Sequence, residues 1–150
     1  MGVGCVTVLP GPESSAAGAR MAQILIVEDN STNMKLACLM IESAAHTALC
    51  ASDAEQALSI TSTEHVDLIL MDIQLPGMDG LEATRLLKQD PATCSIPIIA
   101  VTALAKPSAE ADAFAAGCDA YISKPIRYKD LLSRIESLLA ADSLPHPLAA

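Results

Sequence analysis

The chain has 150 residues, 51% hydrophobic and only 2% aromatic, so one domain with a core of Ala, Leu, Ile, Val and Met is expected. A formal net charge of −9 argues against a nucleic-acid-binding surface, whose phosphate contacts need clustered Lys and Arg. No apolar run approaches the roughly 18 residues of a membrane span, and the expectation is a cytoplasmic protein that binds neither nucleic acid nor membrane.

Residues 1–20 are rich in Gly, Ala, Ser and Pro and read as a disordered extension. They lack the basic start of a secretory signal, and MGVGCV has Val6 where myristoylation needs Ser or Thr. Met21 is therefore a candidate start. From there strand and helix alternate five times. The apolar run Ile24–Val27 precedes Glu28-Asp29-Asn30 and a helix over Ser31–Ala45, capped by Asn30 or Ser31. Besides its core-facing set (Met34, Ala37, Cys38, Ile41), this helix carries Leu36, Leu39 and Met40 on another side. These three either belong to a broadly buried helix or form an exposed apolar patch for a partner. Thr47–Cys50 is a weak second strand, and Ser52 with Glu55 has capping-box spacing for a helix over Asp53–Thr61.

Leu68–Met71 is the third strand and empties into Asp72 and a loop with Pro76, Gly77 and Gly80. The third helix, Leu81–Gln89, stops before Asp90-Pro91, since a residue preceding proline avoids the α region. Ile98–Val101 is the fourth strand and ends at Thr102; a helix from Pro107 to Ala116 stops at Gly117. Ala120–Ser123 is the fifth strand, before Lys124-Pro125. The last helix, Tyr128–Ala140, lines up Tyr128, Leu131, Leu132, Ile135, Leu138 and Leu139. A short tail closes the sequence at 142–150, with no output domain expected after the folded unit at 21–141. The five cysteines, Cys5, Cys38, Cys50, Cys94 and Cys118, form no CxxC pair and no zinc signature. They read as reduced thiols serving as small core residues.

Strands apolar throughout and alternating with helices imply an α/β fold, a doubly wound five-stranded parallel sheet covered on both faces. Right-handed crossovers put every strand's carboxyl end at one edge, where such sheets bind ligands. The residues delivered there are Glu28 and Asp29, Asp72, Thr102 and Lys124. Each alone has a plain structural role as a cap or a solvated charge. Together they do not, because like charges about 4 Å apart cost about 4 kcal/mol at an effective dielectric near 20. Three carboxylates and one ammonium leave two negative charges, the complement of one divalent cation. Oxygen ligands alone favour Mg²⁺ or Mn²⁺ over zinc. A metal, a lysine and a hydroxyl around one carboxylate are parts for phosphoryl transfer, with the carboxylate as nucleophile.

The blocks Ile24–Asn30 (ILIVEDN), Leu68–Gly80 (LILMDIQLPGMDG), Ala100–Ala103 (AVTA) and Ala120–Pro125 (AYISKP) resemble, in order, those of response-regulator receiver domains. The nearest likeness is to stand-alone receivers of the DivK kind. The resemblance implies a flavodoxin-like (βα)5 fold with strand order 2-1-3-4-5. It implies Asp72 as phosphoacceptor, Glu28 and Asp29 as the acidic metal pair, and the Gln74 backbone carbonyl as a further Mg²⁺ ligand. It further implies Thr102 and Lys124 as the groups that grip the phosphoryl, Tyr121 as an aromatic switch, and a cis Lys124-Pro125 bond. The side chains of Gln74 and Leu104 would tune phosphoryl lifetime. Implied partners are a histidine kinase or histidine phosphotransfer protein, and a downstream target bound through the fourth helix, fifth strand and fifth helix. The protein would be a phosphorelay component and not a turnover enzyme. Competing readings are a receiver excised from a hybrid kinase, an aspartyl-phosphate phosphohydrolase and a flavodoxin-like nucleotide-binding module. The hydrolase would want an acid where Gln74 stands. The nucleotide module would want Gly, Ser and Thr donors where the acidic loop stands.

Overall fold

A computed structural model describes residues 21–103 and 108–143. The readings of residues 1–20, Leu104, Pro107 and 144–150 concern positions outside that range. Five strands, β1 (Gln23–Val27), β2 (Thr47–Ala51), β3 (Leu68–Asp72), β4 (Ile98–Thr102) and β5 (Ala120–Ser123), pair in parallel in the order β2-β1-β3-β4-β5. This is the expected order. The helices are α1 (Ser31–Ser43), α2 (Ala54–Thr63), α3 (Gly80–Gln89), α4 (Ala109–Ala116) and α5 (Tyr128–Ser143).

The period of two along each strand divides the core into two layers. Leu25, Val27, Ile69, Met71 and Ala100 face small residues of the helices α2, α3 and α4, among them Ala57, Ala83 and Ala113. Ile24, Ile26, Leu68, Leu70, Ile99 and Val101 face α1 and α5 through Ala37, Ile41, Leu131, Ile135 and Leu139. The central strands β3 and β4 are buried at every position, which is why they read as unbroken apolar runs. β2 is an edge strand, exposed at Thr47 and Cys50, and its pattern is correspondingly weak.

Local chemistry shifts several boundaries. α2 is capped by Asp53, whose side chain accepts the Gln56 N–H at 2.8 Å; Gln56 in turn accepts the Ser52 N–H at 2.6 Å. The N-cap is therefore Asp53, one residue later than the expected Ser52, and the Gln56 side chain holds the residue before it in place of a Ser52–Glu55 box. α1 ends at Ser43, two residues before the expected Ala45. The N–H groups of Ala45 and His46 turn back to the carbonyls of Glu42 and Ile41 at 3.0 and 3.1 Å, and Ala45 sits at φ +69°. α4 ends in the same doubly bonded reversal with Gly117 at φ +112°. On α5, Tyr128 is exposed and not part of the buried stripe, since it lies at the helix's first position. On α1, Leu36 and Leu39 are 51% and 61% exposed while Met40 packs partly on the core. The exposed-patch alternative holds for the first two.

The thiols also differ from expectation. Cys118 is buried and Cys38 half-buried, but Cys50 and Cys94 are exposed, on an edge strand and a loop, and fill no core.

Candidate functional site

The topology reverses between β1 and β3: α1 covers one face of the sheet and α2 and α3 the other, opening a crevice at the strands' carboxyl ends. Glu28 and Asp29 follow β1 into this crevice, and Asp72 ends β3. Glu28 and Asp72 are buried, Asp29 is exposed, and one carboxylate oxygen from each lies within 4.8 Å of the others. Lys124, just past β5, donates to Glu28 Oε1 at 2.8 Å and to Asp72 Oδ2 at 3.2 Å. Backbone amides occupy the other oxygens: Gln74 N–H donates to Asp72 Oδ1 at 2.9 Å and Asn30 N–H to Glu28 Oε2 at 3.2 Å.

Burial, reinforced by the Glu28 charge, pushes the Asp72 carboxyl up to about 6, although the Gln74 amide and the Lys124 ammonium pull the other way. Burial works against the Lys124 charge too, yet Glu28 and Asp72 outweigh it and hold the ammonium above its ordinary value. The two shifts are compatible because Lys124 is shared. Its shorter bond goes to Glu28, so Asp72 receives the weaker half of its compensation. An oxygen-only donor set with excess negative charge suits a hard divalent cation.

Thr102 ends β4, is fully buried, and its carbonyl accepts the Lys124 N–H at 2.8 Å. It lies two residues after Ala100, hence on the same face of the sheet, and Tyr121 packs half-buried against that layer. Lys124-Pro125 is cis. The structure thus brings Glu28, Asp29, Asp72 and Lys124 into one cluster, sets Thr102 beside it, and places Tyr121 two residues before Ser123 on β5. Gln74 is exposed and touches Asp72 through its amide.

The second role of Asn30 and the close approach of Gly80 escaped the sequence reading. Asn30 both caps α1, accepting the Asn33 N–H at 2.9 Å, and donates to Glu28. Gly80 starts α3 so close to β3 that a Cβ there would collide with the Asp72 carbonyl oxygen and the Ile73 Cα. A glycine at a helix start, where a capping type is more usual, was the available signal for such an approach.

The sequence model of the response regulator receiver domain matches residues 24–136. The polar-differentiation response regulator DivK of Brucella ovis is 45% identical over 116 residues, which cover 77% of this chain and 94% of DivK. The chain belongs to the response-regulator receiver family. Among solved receiver structures, a response regulator of Chloroflexus aurantiacus superposes with a TM-score of 0.78 at 30% identity, covering 81% of this chain and 99% of that one. The receiver domain of a Pseudomonas aeruginosa sensor histidine kinase, with magnesium coordinated in its active-site cleft, gives 0.75 at 30% identity, covering 81% and 99%.

Two surfaces of this receiver border the site. A cleft of about 100 Å³ between α1 and the loop after β5 is lined by Leu36, Met40, Lys124, Pro125 and Ile126, among others, so the exposed Leu36 adjoins the site's rim. An open groove of about 420 Å³ over α4, β5 and α5 is lined by Glu110, Tyr121, Arg127, Asp130 and Arg134, among others. Among the described residues no helix is long and apolar enough to cross a membrane.

Proposed function

We propose that this receiver is a single-domain response regulator whose Asp72 accepts a phosphoryl group from a phosphohistidine of a kinase or phosphotransfer protein. The observation that carries the reading is a buried carboxylate, poorly compensated by a shared ammonium and flanked by two further acids. Glu28, Asp29 and Asp72, with the Gln74 carbonyl, would hold Mg²⁺ (or Mn²⁺), which when bound supplies charge neutralisation for the phosphoryl oxygens. In the transfer, the P–N bond to the donor imidazole breaks as a P–O bond to Asp72 forms. The acyl link removes the Asp72 charge and the phosphoryl adds about −2. Lys124 then turns from Asp72 to a phosphoryl oxygen, Thr102 donates its hydroxyl to another, and Tyr121 moves inward. That movement alters the α4–β5–α5 groove, where a downstream protein binds.

The exposed Leu36, which lines a cleft with Lys124 and Pro125, and the exposed Leu39 on the same helix support docking of the donor along α1. Gln74, exposed where a hydrolase would keep a second acid, supports an acceptor and not a turnover enzyme. The match to nearly all of DivK's length supports the single-domain reading. The net charge of −9 supports protein partners over nucleic acid or an anionic membrane surface.

With Mg²⁺ and a labelled phosphohistidine donor, the native chain should take up one acid-stable, hydroxylamine-labile phosphoryl group, and Asp72→Asn none. Label retained in the same peptide of Asp72→Asn would sink the assignment.

A further inference from the structure

Cys38 on α1 and Cys50 on β2 bring their Sγ atoms to 3.3 Å. An S–S bond needs about 2.05 Å, so roughly 1.3 Å separates this contact from a covalent link. Cys50 is exposed and Cys38 half-buried behind it. The pair joins two elements that pack against each other, and neither sulfur takes part in the acidic cluster. We propose that Cys38 and Cys50 form a redox-sensitive dithiol that a peroxide closes to an intramolecular disulfide.

The chemistry assigns an order to the two sulfurs. The Cys50 thiolate, open to solvent, attacks one peroxide oxygen; the O–O bond breaks, leaving a sulfenic acid on Cys50 and releasing water once hydroxide is protonated. The Cys38 sulfur then attacks the sulfenic sulfur. The S–S bond forms, the S–O bond breaks, and the departing hydroxide takes the Cys38 proton as a second water. Two electrons pass from the sulfurs to the peroxide. Cys38 suits the second step by position, its sulfur already 3.3 Å from that of Cys50, while burial, then the neighbouring Cys50 and Glu42, push its thiol up to about 12. It is therefore protected from attacking the oxidant itself. The bond would tie the middle of α1 to the sheet edge one residue before Ala51, whose carbonyl holds the Glu28 N–H at 3.0 Å.

The test is titration of the whole chain with hydrogen peroxide, followed by alkylation and non-reducing peptide mapping. Expected are a Cys38–Cys50 linked peptide lighter by two hydrogens, joint loss of both thiols from alkylation, recovery with dithiothreitol, and a Tm raised by several degrees in the oxidised form. In Cys50→Ser the Cys38 thiol should stay alkylatable and the Tm shift vanish. In Cys38→Ser, Cys50 should stop at a sulfenic acid that dimedone traps. The proposal is overturned if native Cys50 runs on to the sulfinic acid while Cys38 remains free. It is equally overturned if either sulfur pairs instead with Cys5 or Cys94.

Discussion

Asp72 keeps its side chain in a place that penalises its charge. Its folded-state value of about 6 lies above the ordinary 3.8, so the stability linked to this group is full below about 3.8 and lost as pH rises through about 6. In metal-free buffer, Asp72→Asn should therefore be more stable than the native chain by about 1–3 kcal/mol near pH 7.5, with the gap closing towards pH 4. Urea unfolding at a series of pH values measures this, and a gap independent of pH would refute the electrostatic cause. The acids and Lys124 were legible in the sequence because each follows an apolar run at the same end of its strand. Gly80 and the second role of Asn30 were not. Both act through backbone approach in three dimensions, which leaves no periodic trace along the chain.

Helix endings show where element-scale reading works. Gly117 announced the end of α4 because glycine takes a positive φ at no steric cost. α1 ends in the same hydrogen-bonded reversal, but with Ala45 at φ +69°, and the sequence held no sign of it. An L-residue with a Cβ costs roughly 1–2 kcal/mol in that region, partly offset by the greater freedom glycine has when unfolded. Ala45→Gly should stabilise the fold by about 0.5–1 kcal/mol, read as a higher denaturant midpoint at unchanged m-value. A lower midpoint would show that the Ala45 backbone is not strained. The weak β2 signal has a similar origin. An edge strand with two exposed residues has little apolar pattern to offer, whereas β3 and β4 are buried throughout and were plain.

At the scale of the whole molecule, the parallel sheet gathers residues from four strands into one charged crevice, and the order of those strands makes it a single site. A divalent cation binding there and not to the unfolded chain should stabilise the fold by about 2.7 kcal/mol at a hundredfold excess over its Kd. Thermal melts with Mg²⁺ and with a chelator should differ by several degrees in the native chain and by much less in Asp72→Asn. Equal shifts in the two would place the metal elsewhere. The hydrogen bond from Lys124 to Glu28 spans 96 positions of sequence, and the one to Asp72 spans 52. The ammonium comes with the last strand, so a growing chain still lacking β5 holds three acids with no counter-charge. Closing contacts of such long range costs loop entropy. Under the proposed function, a phosphoryl group held between Asp72 and Lys124 would therefore also mark a chain made through to its fifth strand.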